Sequence, residues 1–204
     1  MSAESELSLL AKTIQSCQDC QLHLARKLAV PGEGPADAAV MFIGEGPGFH
    51  ENEQGRPFVG AAGRFLEELL AGVGLTRQQV FICNVVKCRP PGNRDPLPEE
   101  MEACAKYLEA QIHWINPRII VTLGRFSMAR FFPGARISAI HGKARSVGGR
   151  TVVAMYHPAA ALHQPSLRAT VEADFAALRP LLAAAAAPPA EADPAADARQ
   201  LNLF

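Results

Sequence analysis

The 204-residue sequence has no apolar run approaching the ~18–20 residues that a membrane-spanning helix requires. Its start, Met1-Ser-Ala-Glu-Ser-Glu6, has neither the basic region nor the apolar core of a signal peptide. A cytoplasmic location is therefore the expectation. Net charge is missing too, because 20 Lys and Arg balance 20 Asp and Glu. Global charge thus argues neither for nor against a nucleic-acid partner. The 16 glycines and 16 prolines follow no period, and 49% of residues are hydrophobic, which excludes a collagen repeat, a coiled coil and a wholly disordered chain. The length fits one domain plus a tail.

Charge is unevenly distributed. Residues 183–204 carry Glu191, Asp193 and Asp197 against Arg199. Without them the body holds 19 basic (20 − 1) and 17 acidic (20 − 3) residues, a charge of +2.

Four short apolar runs of strand length stand at 38–43, 80–86, 118–123 and 151–156. Helical spacing covers roughly 5–28, 60–74, 99–115 and 166–182, with a short helix after Gly124. The polar, glycine-bearing segment 133–150 reads as a loop or hairpin. Strands alternating with helices predict a three-layer α/β/α fold around a central, mainly parallel four-stranded sheet. Ligands of such sheets bind beyond the carboxyl ends of the strands. Three polar clusters fall at those ends: 44–58, 84–94 and 157–163.

Five cysteines in a cytosolic chain read as metal ligands or thiols sooner than as disulfides. Cys17-x2-Cys20 is a local chelate, Cys88 and Cys104 stand beside turns or helices, and Cys83 alternates into the core as a small hydrophobe. Four ligands with one CxxC suit tetrahedral Zn²⁺ or a [4Fe–4S] cluster, and spacing alone does not decide between them. Gly44-Glu-Gly-Pro-Gly48 lacks the third glycine of a dinucleotide loop, because Phe49 stands there, and no Gly-Lys-Ser/Thr follows. Taken singly, the loop reads as a tight turn, and His157 and His163 as structural or solvated residues.

Taken together, the motifs are specific. Gly44-Glu-Gly-Pro-Gly48, Gly55-Arg-Pro-Phe-Val-Gly60, Asn84, Lys87-Cys-Arg-Pro-Pro-Gly-Asn-Arg94, His157-Pro-Ala-Ala-Ala-Leu162 and the four cysteines resemble the family 4 uracil-DNA glycosylases over residues 7–182. The resemblance implies hydrolysis of the N-glycosidic bond of a flipped-out deoxyuridine, starting base excision repair. It also implies a [4Fe–4S] cluster on Cys17, Cys20, Cys88 and Cys104. Phe58 is expected to stack on uracil, Asn84 to pair with its polar edge, and His157 to stabilise the leaving oxygen. Glu45, Gly46 and Gly48 would approach base and sugar, with Glu51 favoured over Glu45 for positioning water or reading the C5 side. Arg89, Arg94 and His163 are the expected DNA contacts. One branch of the superfamily reacts covalently through a loop histidine, but the corresponding loop here has none, so ordinary turnover is expected. A non-catalytic uracil-DNA binder is the alternative, and an iron–sulfur electron carrier leaves the glycine and histidine motifs without a purpose.

The chain is thus divided into a glycosylase domain over 1–182, a disordered Ala/Pro linker over 183–199 and a terminal peptide over 200–204. The peptide, Gln200-Leu-Asn-Leu-Phe204, resembles the motifs by which bacterial proteins bind the DNA sliding clamp. Leu201, Leu203 and Phe204 would be apolar anchors, and Gln200 can hydrogen-bond both ways. A coil-like linker of that length reaches about 20–25 Å. A monomer bound to uracil-containing DNA near the nucleoid is the expected working state.

Overall fold

A computed structural model of the protein describes residues 2–186. The expected linker and terminal peptide, with the clamp-binding residues Gln200, Leu201, Leu203 and Phe204, lie outside the described residues, apart from 183–186. In chain order the elements are α1 (Ala3–Ser16), α2 (Leu22–Ala25), β1 (Val40–Gly44), α3 (Phe49–Gln54), α4 (Ala61–Gly72), β2 (Phe81–Asn84) and α5 (Pro98–Ile115). They continue as β3 (Ile119–Leu123), α6 (Arg125–Ala129), α7 (Ile137–Ile140), β4 (Ala144–Val147), β5 (Arg150–Met155), α8 (Pro158–His163), α9 (Arg168–Ala176) and α10 (Arg179–Ala186).

The four apolar runs form the parallel part of one sheet with order β2-β1-β3-β5-β4. Register is fixed by burial on both faces. Met41 and Ile43 of β1 face a layer containing Ile14, Leu22, Tyr107 and Leu108. Val40 and Phe42 face Phe65, Leu66, Leu70 and Phe175. Alternate side chains of one strand therefore anchor helices on opposite sides, which is the three-layer α/β/α architecture.

The sheet has five strands where four were expected. The fifth, β4, pairs antiparallel with β5, Val147 opposite Arg150. Gly148 and Gly149 between them take φ of 55° and 76°, as a two-residue hairpin turn of matching twist requires. Three of its four residues are exposed, so β4 is an edge strand without the apolar run that marked the others.

Two helical boundaries also differ from expectation. The first helix stops at Cys17, whose ψ of 140° leaves the helical region, and the CxxC segment occupies the break before α2. The last helix is divided into α9 and α10, and α10 runs to Ala186, four residues past the expected domain edge.

Candidate active site

The carboxyl ends of β1, β2 and β5 converge on a cavity of about 490 Å³. Its wall holds Glu45, Gly46, Gly48, Glu51, Phe58, Asn84, Arg94, His157 and His163, drawn from all three polar clusters. Pro47, Ala62, Pro90, Asn93, Asp95 and Ala159 complete it. Arg89 does not line the cavity; its Nε donates to the wall residue Asn93, Oδ1 at 2.7 Å.

Phe58 is buried and held in the left-handed region at φ 52°. A non-glycine residue there costs on the order of 1–3 kcal/mol and persists only where its surroundings enforce it. Here two side chains enforce it. Buried Arg77 donates from Nη1 to the Phe58 carbonyl at 2.8 Å and from Nη2 to the Pro57 carbonyl. Glu51 takes the amides on the other side, its Oε1 accepting from Val59 and Gly60, both at 2.9 Å. Two glycines leave room for this residue: a Cβ at Gly44 would collide with the Phe58 ring and Asn84, and one at Gly63 with the Phe58 main chain. The Phe58 ring stacks with His157, centroids 5.5 Å apart and planes 24° apart.

His157 caps α8, its Nδ1 accepting from the Ala159 amide at 3.1 Å. With Nδ1 an acceptor, the neutral ring carries its proton on Nε2. Burial pushes the His157 pKa down to about 4, and the Glu51 charge opposes this only in part. The imidazole is therefore neutral at pH 7 and presents an Nε2–H donor.

The carboxylates at the cavity differ in their freedom. Glu51 accepts three backbone amides, the third from Gly48 at 3.1 Å to Oε2. Asp95 pairs with Arg125. The Glu45 side chain is half-buried and accepts no hydrogen bond among the described residues, and burial, then the Asp95 charge, raises its pKa above 4.5. Arg94 is bidentate to Glu100, at 2.6 and 2.9 Å, which ties the proline loop to the first turn of α5. Asn84 is 1% exposed, and its Oδ1 has no hydrogen-bond partner.

A second, mainly apolar cavity gathers Cys17, Cys20, Cys88 and Cys104, with Tyr107, Arg26 and Lys87 around them. Arg26 Nη1 donates to Cys88 Sγ at 3.2 Å and the Lys87 amide to Cys104 Sγ at 3.3 Å. Burial pushes the Cys104 thiol up to about 11. Among the described residues no three His, Cys, Asp or Glu side chains are placed to hold a metal ion. Lys87 connects the two cavities: fully buried, it donates from Nζ to the Asn84 carbonyl at 2.7 Å and to Gln111 at 2.6 Å. Cys83 is buried in the same core layer as these cysteines but does not line their cavity.

Residues 31–182 match the model of the uracil DNA glycosylase superfamily. The chain belongs to that superfamily. It is 47% identical over 175 residues to the type-4 uracil-DNA glycosylase of Archaeoglobus fulgidus, covering 81% of this chain and 88% of the relative. It is 44% identical over 166 residues to the type-4 enzyme of Thermotoga maritima, covering 80% and 86%. Similarity to the type-5 uracil-DNA glycosylase of Thermus thermophilus is lower, 36% over 149 residues, covering 63% and 68%.

Arg77 and Asp95, which no motif singled out, stand beside the cavity through the Phe58 and Pro57 carbonyls and through Arg125. Arg77 stands 19 positions from the carbonyl it holds, and no local motif marks such a partner. No helix among the described residues is long and apolar enough to cross a membrane.

Proposed function

We infer that the protein is a uracil-DNA glycosylase that hydrolyses the N-glycosidic bond of deoxyuridine flipped out of DNA. Asn84 carries this reading. Its Oδ1 is buried without a donor, among the described residues, at the wall of a cavity with room for a nucleotide, and uracil N3–H is such a donor. The amide of the same side chain can donate to the neighbouring O4. Cytosine presents an acceptor at N3, which would leave Oδ1 unsatisfied at a cost of about 1–3 kcal/mol.

As the bond from C1′ to N1 lengthens, positive charge grows on the sugar and negative charge on uracil. His157 donates Nε2–H to O2, a fixed donor placed where charge develops. The buried Phe58 ring gives the base a flat wall. Water adds to C1′ and loses its proton to a carboxylate. The sequence favours Glu51 for that role, but its oxygens accept three amides. Glu45 is free, and its raised pKa suits a base. We therefore assign the water to Glu45 and give Glu51 the task of bracing the loop, with the C5 side of uracil as its neighbour. Arg89 and His163 remain the DNA contacts; Arg94, neutralised by Glu100, serves chiefly to hold the proline loop.

Cys17, Cys20, Cys88 and Cys104 would hold a [4Fe–4S] cluster. The donor set fits: four thiols line one cavity, and two carry N–H donors to sulfur. Hydrolysis moves no electrons, so the cluster would tie the α1–α2 break to α5 and the proline loop. The terminal peptide would recruit the enzyme to the sliding clamp on nucleoid DNA.

The test is incubation with a uracil-containing oligonucleotide, alkali, and a search for strand scission. Absence of abasic sites at catalytic enzyme levels would reject the enzyme and leave a non-catalytic uracil-DNA binder.

A further inference from the structure

Phe49 is the first residue of α3 and directly follows the wall residue Gly48, yet it is 52% exposed and belongs to neither core cluster. The Arg89 guanidinium lies over its ring, 5.3 Å from the centroid, and His50 meets it edge-on at 5.4 Å. Arg89 has no ion pair among the described residues and is steadied by Asn93, itself part of the cavity wall. A half-exposed aromatic and an uncompensated cation thus stand together at the rim of the pocket. Neither is required by the fold around it.

Flipping a nucleotide strips its neighbour of a stacking partner. Single-stranded nucleic acid is held by this same pair of elements, an aromatic face for a base and a cation for the backbone. We propose that Phe49 stacks on the base adjacent to the flipped deoxyuridine, and that Arg89 contacts the phosphate beside it. The proposal rests on the reading of the neighbouring cavity as the uracil pocket. It assigns a second nucleobase subsite, tolerant of sequence because every base has a π-face.

Two single-stranded substrates of about a dozen nucleotides test it. One carries 2-aminopurine beside the deoxyuridine; the other carries abasic residues on both sides. Binding is read from 2-aminopurine quenching, and excision from KM and kcat. Phe49→Ala is expected to raise KM about tenfold on the base-flanked substrate, within the range known for one stacked base. It should weaken quenching, leave kcat within about twofold, and change nothing on the abasic-flanked substrate. Phe49→Trp should restore KM, and Arg89→Met should weaken binding to both substrates. Unchanged KM in Phe49→Ala, or an equal penalty on both substrates, would overturn the subsite. Loss of quenching in Phe49→Ala with no excision by the wild type would instead keep the subsite and remove the glycosylase reading.

Discussion

The imidazole of His157 and the ring of Phe58 stack at 5.5 Å, so one wall of the cavity joins the end of β5 to the loop before α4. His157 is neutral because burial depresses its pKa to about 4. Between that value and the ordinary ~6.5, the unfolded chain binds more protons than the folded one. This residue's contribution to stability therefore rises with pH across that window and is level above it. Turnover should show no inflection near pH 6.5; the acid limb should follow Glu45, whose pKa lies above 4.5. A kcat/KM profile from pH 4.5 to 8.5 checks this, and an inflection near 6.5 that disappears in His157→Gln would contradict the neutral ring. His157→Ala should cost about 10²–10³-fold in kcat, the usual effect of removing one such donor.

Glu45 and Glu51 should separate cleanly. Glu45→Gln is expected to lower kcat by about 10²–10⁴-fold, the range of general-base catalysis, with melting temperature and uracil affinity held. Glu51→Gln removes an acceptor for backbone amides, so it should lower the melting temperature by roughly 5–10 °C and activity with it. Thermal melts beside single-turnover rates decide the assignment. A stable Glu51→Gln with abolished turnover would return the water to Glu51.

Arg77 should matter as a positioning residue. Arg77→Met leaves the Pro57 and Phe58 carbonyls without their donor, freeing Phe58 to leave its left-handed backbone. The expected result is a KM for uracil-DNA raised by about tenfold or more, with partial rescue by Arg77→Lys. Wild-type KM in Arg77→Met would show that Glu51 and the two glycines suffice.

The strand ends were legible because a parallel sheet buried on both faces writes itself as short apolar runs, and chemistry gathers where those runs stop. Asn84 and His157 stand at such stops. The rest is less legible for physical reasons. The polar segment 133–150 reads as a loop or hairpin, and β4 is the exposed edge strand of that hairpin, without the apolar run that marks a buried strand. Arg77 acts on main-chain carbonyls, which carry no side-chain signature. Glu51 accepts three backbone amides from positions that no motif links, and that is a property of loop closure. The break in the first helix follows from the turn that brings Cys17 and Cys20 toward Cys88 and Cys104.

Replacing any one of Cys17, Cys20, Cys88 or Cys104 by Ala should remove iron and visible absorbance, while Cys83→Ala keeps both. Because Lys87 joins the cysteine cavity to the Asn84 carbonyl, loss of iron is expected to weaken uracil binding as well. Iron analysis with uracil-DNA titration checks both halves. Stoichiometric zinc and no iron in protein purified without oxygen would refute the cluster.

The terminal peptide makes the last prediction. Leu201, Leu203 and Phe204 form an apolar set after an Ala/Pro stretch that includes Glu191, Asp193 and Asp197. An acidic, proline-bearing spacer is poorly suited to packing on the body, whereas an isolated anchor set suits a groove on a partner. Tethering through it would raise the local concentration of the enzyme wherever clamps sit on DNA, without any new contact to uracil. A synthetic peptide of residues 195–204 should bind a bacterial sliding clamp, and the same peptide with Leu203 and Phe204 changed to Ala should not. Asn202 lies between the anchors and should tolerate Ser or Asp. Equal, negligible binding by both peptides would reject the clamp as partner. Deleting residues 200–204 should leave excision from short oligonucleotides unchanged while slowing it on primed circular DNA loaded with clamp, because only the second substrate offers the tether its anchor.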